Sequence, residues 1–343
     1  MRRLALALSL AVGLVLGGAF ADAHDHRPGE GVSVQPAVAT WQSALPLEAI
    51  FAELLGELGY DVQAAQSVSN PIFYQSVTQG DVDYWSNGWF PLHNAQLPEN
   101  FDDTASVVGT IVERGALQGY LVDAASIEEF GITSLEDFKR PEVKEAFDAD
   151  GDGRADLVGC PPGWGCEQVI SHHMDVYDLD EHVNVVTAAY AASFADALAR
   201  YRNDEPVLYY TWTPNFTTVE LVPGEDVMWI NVPEIIPSEA QEGLEDAMSA
   251  SGVHGAVSDP LMFGYVANDI RTVANLDFLD ANPAAHALLD AVEIPLADIS
   301  EMTQRISGGE SSDAAVAAMA QEWIENNRMQ VDEWLQLAIS AAN

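Results

Sequence analysis

The stretch VSVQPAVATWQSALPLEAIFAELLGELGYDV, residues 32–62, decides the fold class. Val32-Ser33-Val34 reads as a short strand. Leu45 to Leu58 carries apolar residues at helical spacing, and Gly59 suits the left-handed position that closes a helix. Tyr60-Asp61-Val62 then reads as a second strand. Strand, helix and strand within about 30 residues is the parallel α/β unit. Further along, the pattern predicts a helix over 71–78, a strand over 82–85 and a loop over 86–94. A strand at 119–122, a helix starting at 134–138 and a polar, glycine-rich loop over 148–159 follow. A dense strand occupies 207–210, and an alanine-rich helical tail runs over 313–337. No internal repeat is visible. A chain of 343 residues exceeds what one hydrophobic core usually serves, so these elements are expected to form two α/β lobes.

The N-terminus is different in kind. Arg2 and Arg3 precede an apolar run from Leu4 to Leu16, and Ala19-Phe20-Ala21 is an A-x-A cleavage pattern. Residues 1–21 read as a secretory signal peptide, with cleavage after Ala23 as an alternative. The run is too short for a retained membrane anchor, and no later segment is long and apolar enough to span a bilayer. Export to the periplasm is the expectation. Export also takes the only two cysteines, Cys160 and Cys166, into an oxidising compartment, where an even count favours a disulfide. Aspartate and glutamate number 54 against 13 lysines and arginines, a net charge of −41. Such a surface repels itself unless salt screens it, which points to salty surroundings. Nucleic acid is excluded as a partner, because phosphate binding requires clustered basic residues.

Three segments each place a tryptophan among turn residues. They are Asn87-Gly88-Trp89-Phe90-Pro91-Leu92-His93, Gly159-Cys160-Pro161-Pro162-Gly163-Trp164-Gly165-Cys166 and Tyr209-Tyr210-Thr211-Trp212-Thr213-Pro214. An indole flanked by Gly and Pro needs something to cover its apolar face, and a ligand is one solution. A quaternary ammonium donates no hydrogen bond, and its diffuse charge is attracted to the faces of aromatic rings, tryptophan above all. The carboxylate of a zwitterion would in turn need donors. His93 and the backbone N–H groups after Trp164 are the candidates.

The motifs W-x-P-L-H, G-C-x-P-G-W-G-C-E and Y-Y-T-W-T-P, with their spacing, resemble the ProX-type glycine betaine/proline betaine substrate-binding proteins (the OpuAC-like family) across nearly the whole mature chain. The resemblance implies a type II periplasmic binding fold, two α/β lobes joined by a hinge with the ligand in the cleft. On that reading residues 24–118 plus 228–343 form lobe I and residues 119–227 form lobe II. It further implies an aromatic box of Trp89, Trp164 and Trp212, with His93 and the backbone at Gly165 and Cys166 holding the carboxylate. A Cys160–Cys166 disulfide, a monomeric protein without a required cofactor, and an ABC permease in the inner membrane as partner complete the expectation. The same fold would serve a soluble ligand sensor for a membrane receptor, and nothing in the sequence separates the two roles. An enzyme acting on a betaine is disfavoured, since no nucleophile, zinc or phosphate-loop motif is present. Trp85 and Phe90 add aromatic bulk beside Trp89, and the segment 234–260 matches no family pattern. Both bear on which betaine, proline betaine, choline, carnitine or sulfonium analogue is taken.

Two weaker signals remain. Asp148, Asp150, Asp152, Arg154 and Asp156 occupy positions 1, 3, 5, 7 and 9 of a calcium-type loop, with Gly153 at position 6. Position 12 is Gly159 rather than glutamate. A structural calcium, aided by Glu167, and a plain solvated Asp-Gly turn are both open. Either cleavage site leaves a histidine, His24 or His26, third in the mature chain, a possible copper or nickel chelate. His172 and His173 are adjacent on a helical stretch and point to different faces. Trp41, Trp229, Trp323 and Trp334 have no motif around them and read as packing residues.

Overall fold

The computed structural model describes residues 27–343. The expected signal peptide, both expected cleavage sites, His24 and His26 therefore lie outside the described residues. The first sheet has five strands in the order Gln66–Val68, Pro36–Ala39, Tyr84–Phe90, Asn268–Asn275, Ala105–Ala116. The first three are parallel, and Asn268–Asn275 runs antiparallel to both its neighbours. The second sheet has the order Val227–Ile230, Gln118–Asp123, Leu208–Trp212, Ala155–Val158, Val183–Val186. There Ala155–Val158 pairs in parallel with both neighbours, while Gln118–Asp123 is antiparallel to its own. The chain passes from one sheet to the other at Leu117. It returns between Ile230 and Asn268.

The helix expected after the first strand runs Ala44–Glu57 and buries Leu47, Ile50, Phe51, Leu54 and Leu55, a 3–4 spacing that makes one apolar face. Pro46 is tolerated because the first turn needs no intrahelical N–H partner there. Gly59 has φ +96°, the left-handed value expected of it. Val32–Val34 and Tyr60–Val62 do yield strands, Ser33–Val34 paired in parallel with Asp61–Val62, but these form a side ribbon. The sheet strand is Pro36–Ala39, which the sequence pattern missed because proline at its head hides it.

Other boundaries also differ. The strand expected to stop at residue 85 continues through Phe90, so Asn87, Gly88 and Trp89 are strand residues and not loop. The strand Ala155–Val158 cuts into the loop expected over 148–159. The stretch near Ser134 is a 3₁₀ turn, Leu135–Lys139, closed by a Ser134/Asp137 capping box. The tail is two helices, Asp313–Asn326 and Arg328–Ala341, which stack Trp323 on Trp334 at 6.3 Å. Val227–Ile230 hydrogen-bonds to Gln118–Asp123 on the second sheet. The unmatched segment 234–260 consists mainly of short 3₁₀ turns and half of a small ribbon, Ser249–Ala250 with Leu261–Met262. No helix among the described residues is long and apolar enough to cross a membrane.

Candidate functional site

The C-terminal ends of several strands from both sheets meet around one cavity. Trp89, His93, Trp164, Gly165, Cys166 and Trp212 all line it. The structure thus brings together every ligand-site residue singled out in the sequence. Each indole is almost fully covered, with 4–8% of its surface exposed.

From the first sheet, the strand Tyr84–Phe90 presents Trp85, Asn87 and Trp89 on one face, as the two-residue strand period requires. The Asn87 Oδ1 accepts hydrogen bonds from the indole N–H of Trp89 at 2.9 Å and of Trp41 at 2.8 Å. One carbonyl therefore orients two rings. His93 follows in the 3₁₀ turn Leu92–Gln96 and lies nearly parallel to Trp85, with ring centroids 6.0 Å apart. The Trp89 backbone N–H donates to its Nδ1 at 3.1 Å, and the Tyr74 hydroxyl lies 2.8 Å from the same nitrogen. A nitrogen that accepts from a backbone N–H carries no proton, so the neutral ring holds its proton on Nε2. Burial lowers the His93 pKa to about 3, which keeps the ring neutral. Asn70 Nδ2 lies 3.0 Å from Nε2, while Asn70 Oδ1 has no partner among the described residues. With the proton on Nε2, a half-turn of that amide brings its oxygen to meet it.

From the second sheet come main-chain donors. Trp164 is the N-cap of the helix Gly165–Val176 and gives it no side-chain cap. The N–H groups of Gly165 and Cys166, first in that helix, have no intrahelical acceptor, and both residues line the cavity. A helix N-terminus with free N–H groups is an anion site. Gly165 is glycine for a spatial reason: a Cβ there would come within 3.1 Å of His93 and Leu92. Cys160 and Cys166 form a disulfide that closes the loop carrying Trp164 onto the first turn of this helix. Trp164 and Trp212 meet edge to face, with centroids 5.4 Å apart. Their indole N–H groups reach across to the first sheet's side, to Thr40 Oγ1 at 2.8 Å and Ser43 Oγ at 3.5 Å.

Sequence reasoning missed five lining residues: Trp41, Asn70, Leu92, Gln118 and Tyr210. Trp41, read as a packing residue, is buried in the core and also lines this cavity; the other three tryptophans in that group are buried away from it. Gln118 accepts the Tyr210 hydroxyl at 2.6 Å, and its Nε2 has no partner among the described residues. No local signal pointed to Trp41, because it follows Pro36–Ala39, the strand that the sequence pattern missed.

The acidic loop is built differently from a filled cation site. Asp148, Asp150 and Asp156 bring carboxylate oxygens within 4.8 Å of one another. Asp152, at position 5, is turned onto Arg154 at 2.5 Å, which lowers its pKa. Asp148 accepts from the backbone N–H groups of Gly151, Asp152 and Gly153, and Asp156 from Ala149. Glu167 is not among the converging acids. His172 and His173 face apart: one ring contacts the Ile236 carbonyl and the other the Tyr120 hydroxyl.

The family model described as the substrate binding domain of ABC-type glycine betaine transport systems, OpuAC, matches residues 32–326. The chain belongs to this family. Its OpuAC relatives include the glycine betaine-binding periplasmic protein OusX of Dickeya dadantii, 36% identical over 342 residues, covering 100% of this chain and 98% of that one. The glycine betaine/proline betaine-binding periplasmic protein of Salmonella typhimurium is 34% identical, with 99% of each chain covered. Among solved structures, lactococcal OpuAC in its closed-liganded conformation with glycine betaine superposes with a TM-score of 0.67 at 18% identity, over 89% of this chain and 99% of that one. That likeness establishes the fold: a type II periplasmic binding protein of two α/β lobes.

Proposed function

We propose that this protein captures glycine betaine, or a closely related quaternary-ammonium or sulfonium osmolyte, in the periplasm and delivers it to an ABC permease in the inner membrane. The observation that carries the reading is one cavity uniting three indoles with two unpaired helix N–H groups and a neutral imidazole. Trp89, Trp164 and Trp212 take the onium head, which ordinary acceptors cannot recognise. The Gly165 and Cys166 N–H groups take the carboxylate, and His93 Nε2–H shares its proton between that carboxylate and Asn70. The head and the carboxylate are thus read by opposite chemistries within one cavity.

In this reading the first sheet with its helices is one lobe and the second sheet the other, joined at Leu117 and by the return between Ile230 and Asn268. Ligand bridges walls that neither lobe holds alone, so binding shifts the population toward the closed state. The Thr40 and Ser43 contacts across the cleft form only on closure. The closed protein is what the permease would recognise. The protein acts as a monomeric carrier, needs no cofactor and catalyses no reaction on its ligand. Export by a cleaved signal peptide fits the periplasmic relatives, and the net charge of −41 fits work at high ionic strength.

Calorimetric titration in high salt tests this, using glycine betaine, proline betaine, choline and dimethylsulfoniopropionate. Saturable, micromolar binding is expected for the zwitterions, with choline weaker because it lacks the carboxylate. A folded sample giving no heat with any of the four would overturn the reading.

A further inference from the structure

The sequence offers three motif tryptophans, but the cavity has a fourth indole beside them. Trp41 lies between the strand Pro36–Ala39 and the helix Ala44–Glu57. Its ring centroid is 5.3 Å from that of Trp164, at an interplanar angle of 73°, and 6.4 Å from that of His93. Only 6% of its surface is exposed, yet it lines the cavity. Together with Trp164 and Trp212 it also borders an adjoining chamber, so these three rings partition the two spaces. Its N–H and that of Trp89 converge on the same Asn87 oxygen, which couples its placement to that of a cage ring. The shared bond restrains both indoles, and Trp41 is further held against Trp85, with ring centroids 5.8 Å apart.

We propose that Trp41 is a fourth wall of the cage, facing the onium head, and that Asn87 is the positioning residue that sets Trp41 and Trp89 as a pair. This deepens the proposed function and rests on it. A cage closed by four indoles favours a compact, fully alkylated cation, because each ring contributes attraction only at van der Waals contact with the charge. Trp41 would thus determine selectivity for charge as well as shape.

The test separates charge recognition from packing by comparing glycine betaine with tert-butylacetate, its uncharged-head isostere, which carries the same carboxylate. Both are titrated into the wild type, Trp41→Leu and Trp41→Phe, each shown folded by circular dichroism. The wild type is expected to prefer the betaine strongly. In Trp41→Leu betaine affinity should fall at least tenfold while the isostere changes little, so the preference shrinks. Trp41→Phe, which keeps a π-face but loses the bond to Asn87, should fall between. If Trp41→Leu does not fold, the Trp41→Phe preference decides, and an unchanged preference in it overturns the proposal. Equal weakening of both ligands, or no weakening of either, also overturns it and reduces Trp41 to packing. A wild type that binds no betaine defeats the proposed function itself, an outcome distinct from all the others.

Discussion

On the first sheet's side the cavity is made of side chains held by other side chains, and on the second it is made around main chain. Asn87 clamps Trp41 and Trp89, while Trp89 and Tyr74 hold His93, all within one lobe. Across the cleft, the donors are the backbone N–H groups of Gly165 and Cys166, fixed by a helix start and a disulfide. The second-side indoles, Trp164 and Trp212, find hydrogen-bond acceptors on Thr40 and Ser43, on the opposite lobe. One half of the site is therefore held within its own lobe, and the other is tied to the opposite lobe. Under the proposed function, such a division would couple ligand capture to closure.

The largest break of this comparison comes from the second side. Trp212→Ala removes a wall and a contact across the cleft, and a desolvated cation–π contact is worth about 2 kcal/mol. Calorimetry should show betaine binding weakened by about thirtyfold with the melting temperature little changed. Thr40→Val, which removes only the acceptor for Trp164, should weaken binding a few-fold, as one neutral hydrogen bond of about 1 kcal/mol would. An equal or larger loss in Thr40→Val would mean that closure, and not the cage, dominates the affinity.

The smallest effect sharpens the first side. Burial lowers the His93 pKa from 6.5 to about 3, so the folded protein keeps it neutral where an exposed histidine would charge. Betaine affinity should accordingly stay flat from pH 8 to pH 5. An imidazolium would instead strengthen carboxylate binding as pH fell through 6.5, and a rise in that window would refute the neutral donor. The sign for folding is opposite to that of a histidine in an ion pair. Because the folded pKa is depressed, the unfolded chain takes up the proton first, and this group's contribution to stability is lost as pH falls from about 6.5 to about 3.

Much of the site was legible because its residues break local rules. Trp164 and Gly165 sit among Pro161, Pro162 and Gly163, where an indole has no regular element to pack in, and that conflict marks a functional loop. Trp89 was found by the same signal even though it ends a strand. Trp41 breaks no rule: Thr40-Trp41-Gln42 carries no turn residue, and its place depends on Pro36–Ala39 pairing with strands some 30 and 50 residues further along. The sheet to which Val227–Ile230 belongs was hidden for the same reason, since its partner lies over 100 residues earlier. Local pattern reveals an element and its turn chemistry, whereas strand partnership is a non-local choice made by packing.

The most direct measurement is a crystal structure of the mature protein with glycine betaine. The account predicts the trimethylammonium among Trp89, Trp164 and Trp212, and the carboxylate within hydrogen-bond distance of the Gly165 and Cys166 N–H groups and His93 Nε2. A ligand bound outside this cavity, or one whose carboxylate lies against the indoles, would contradict it.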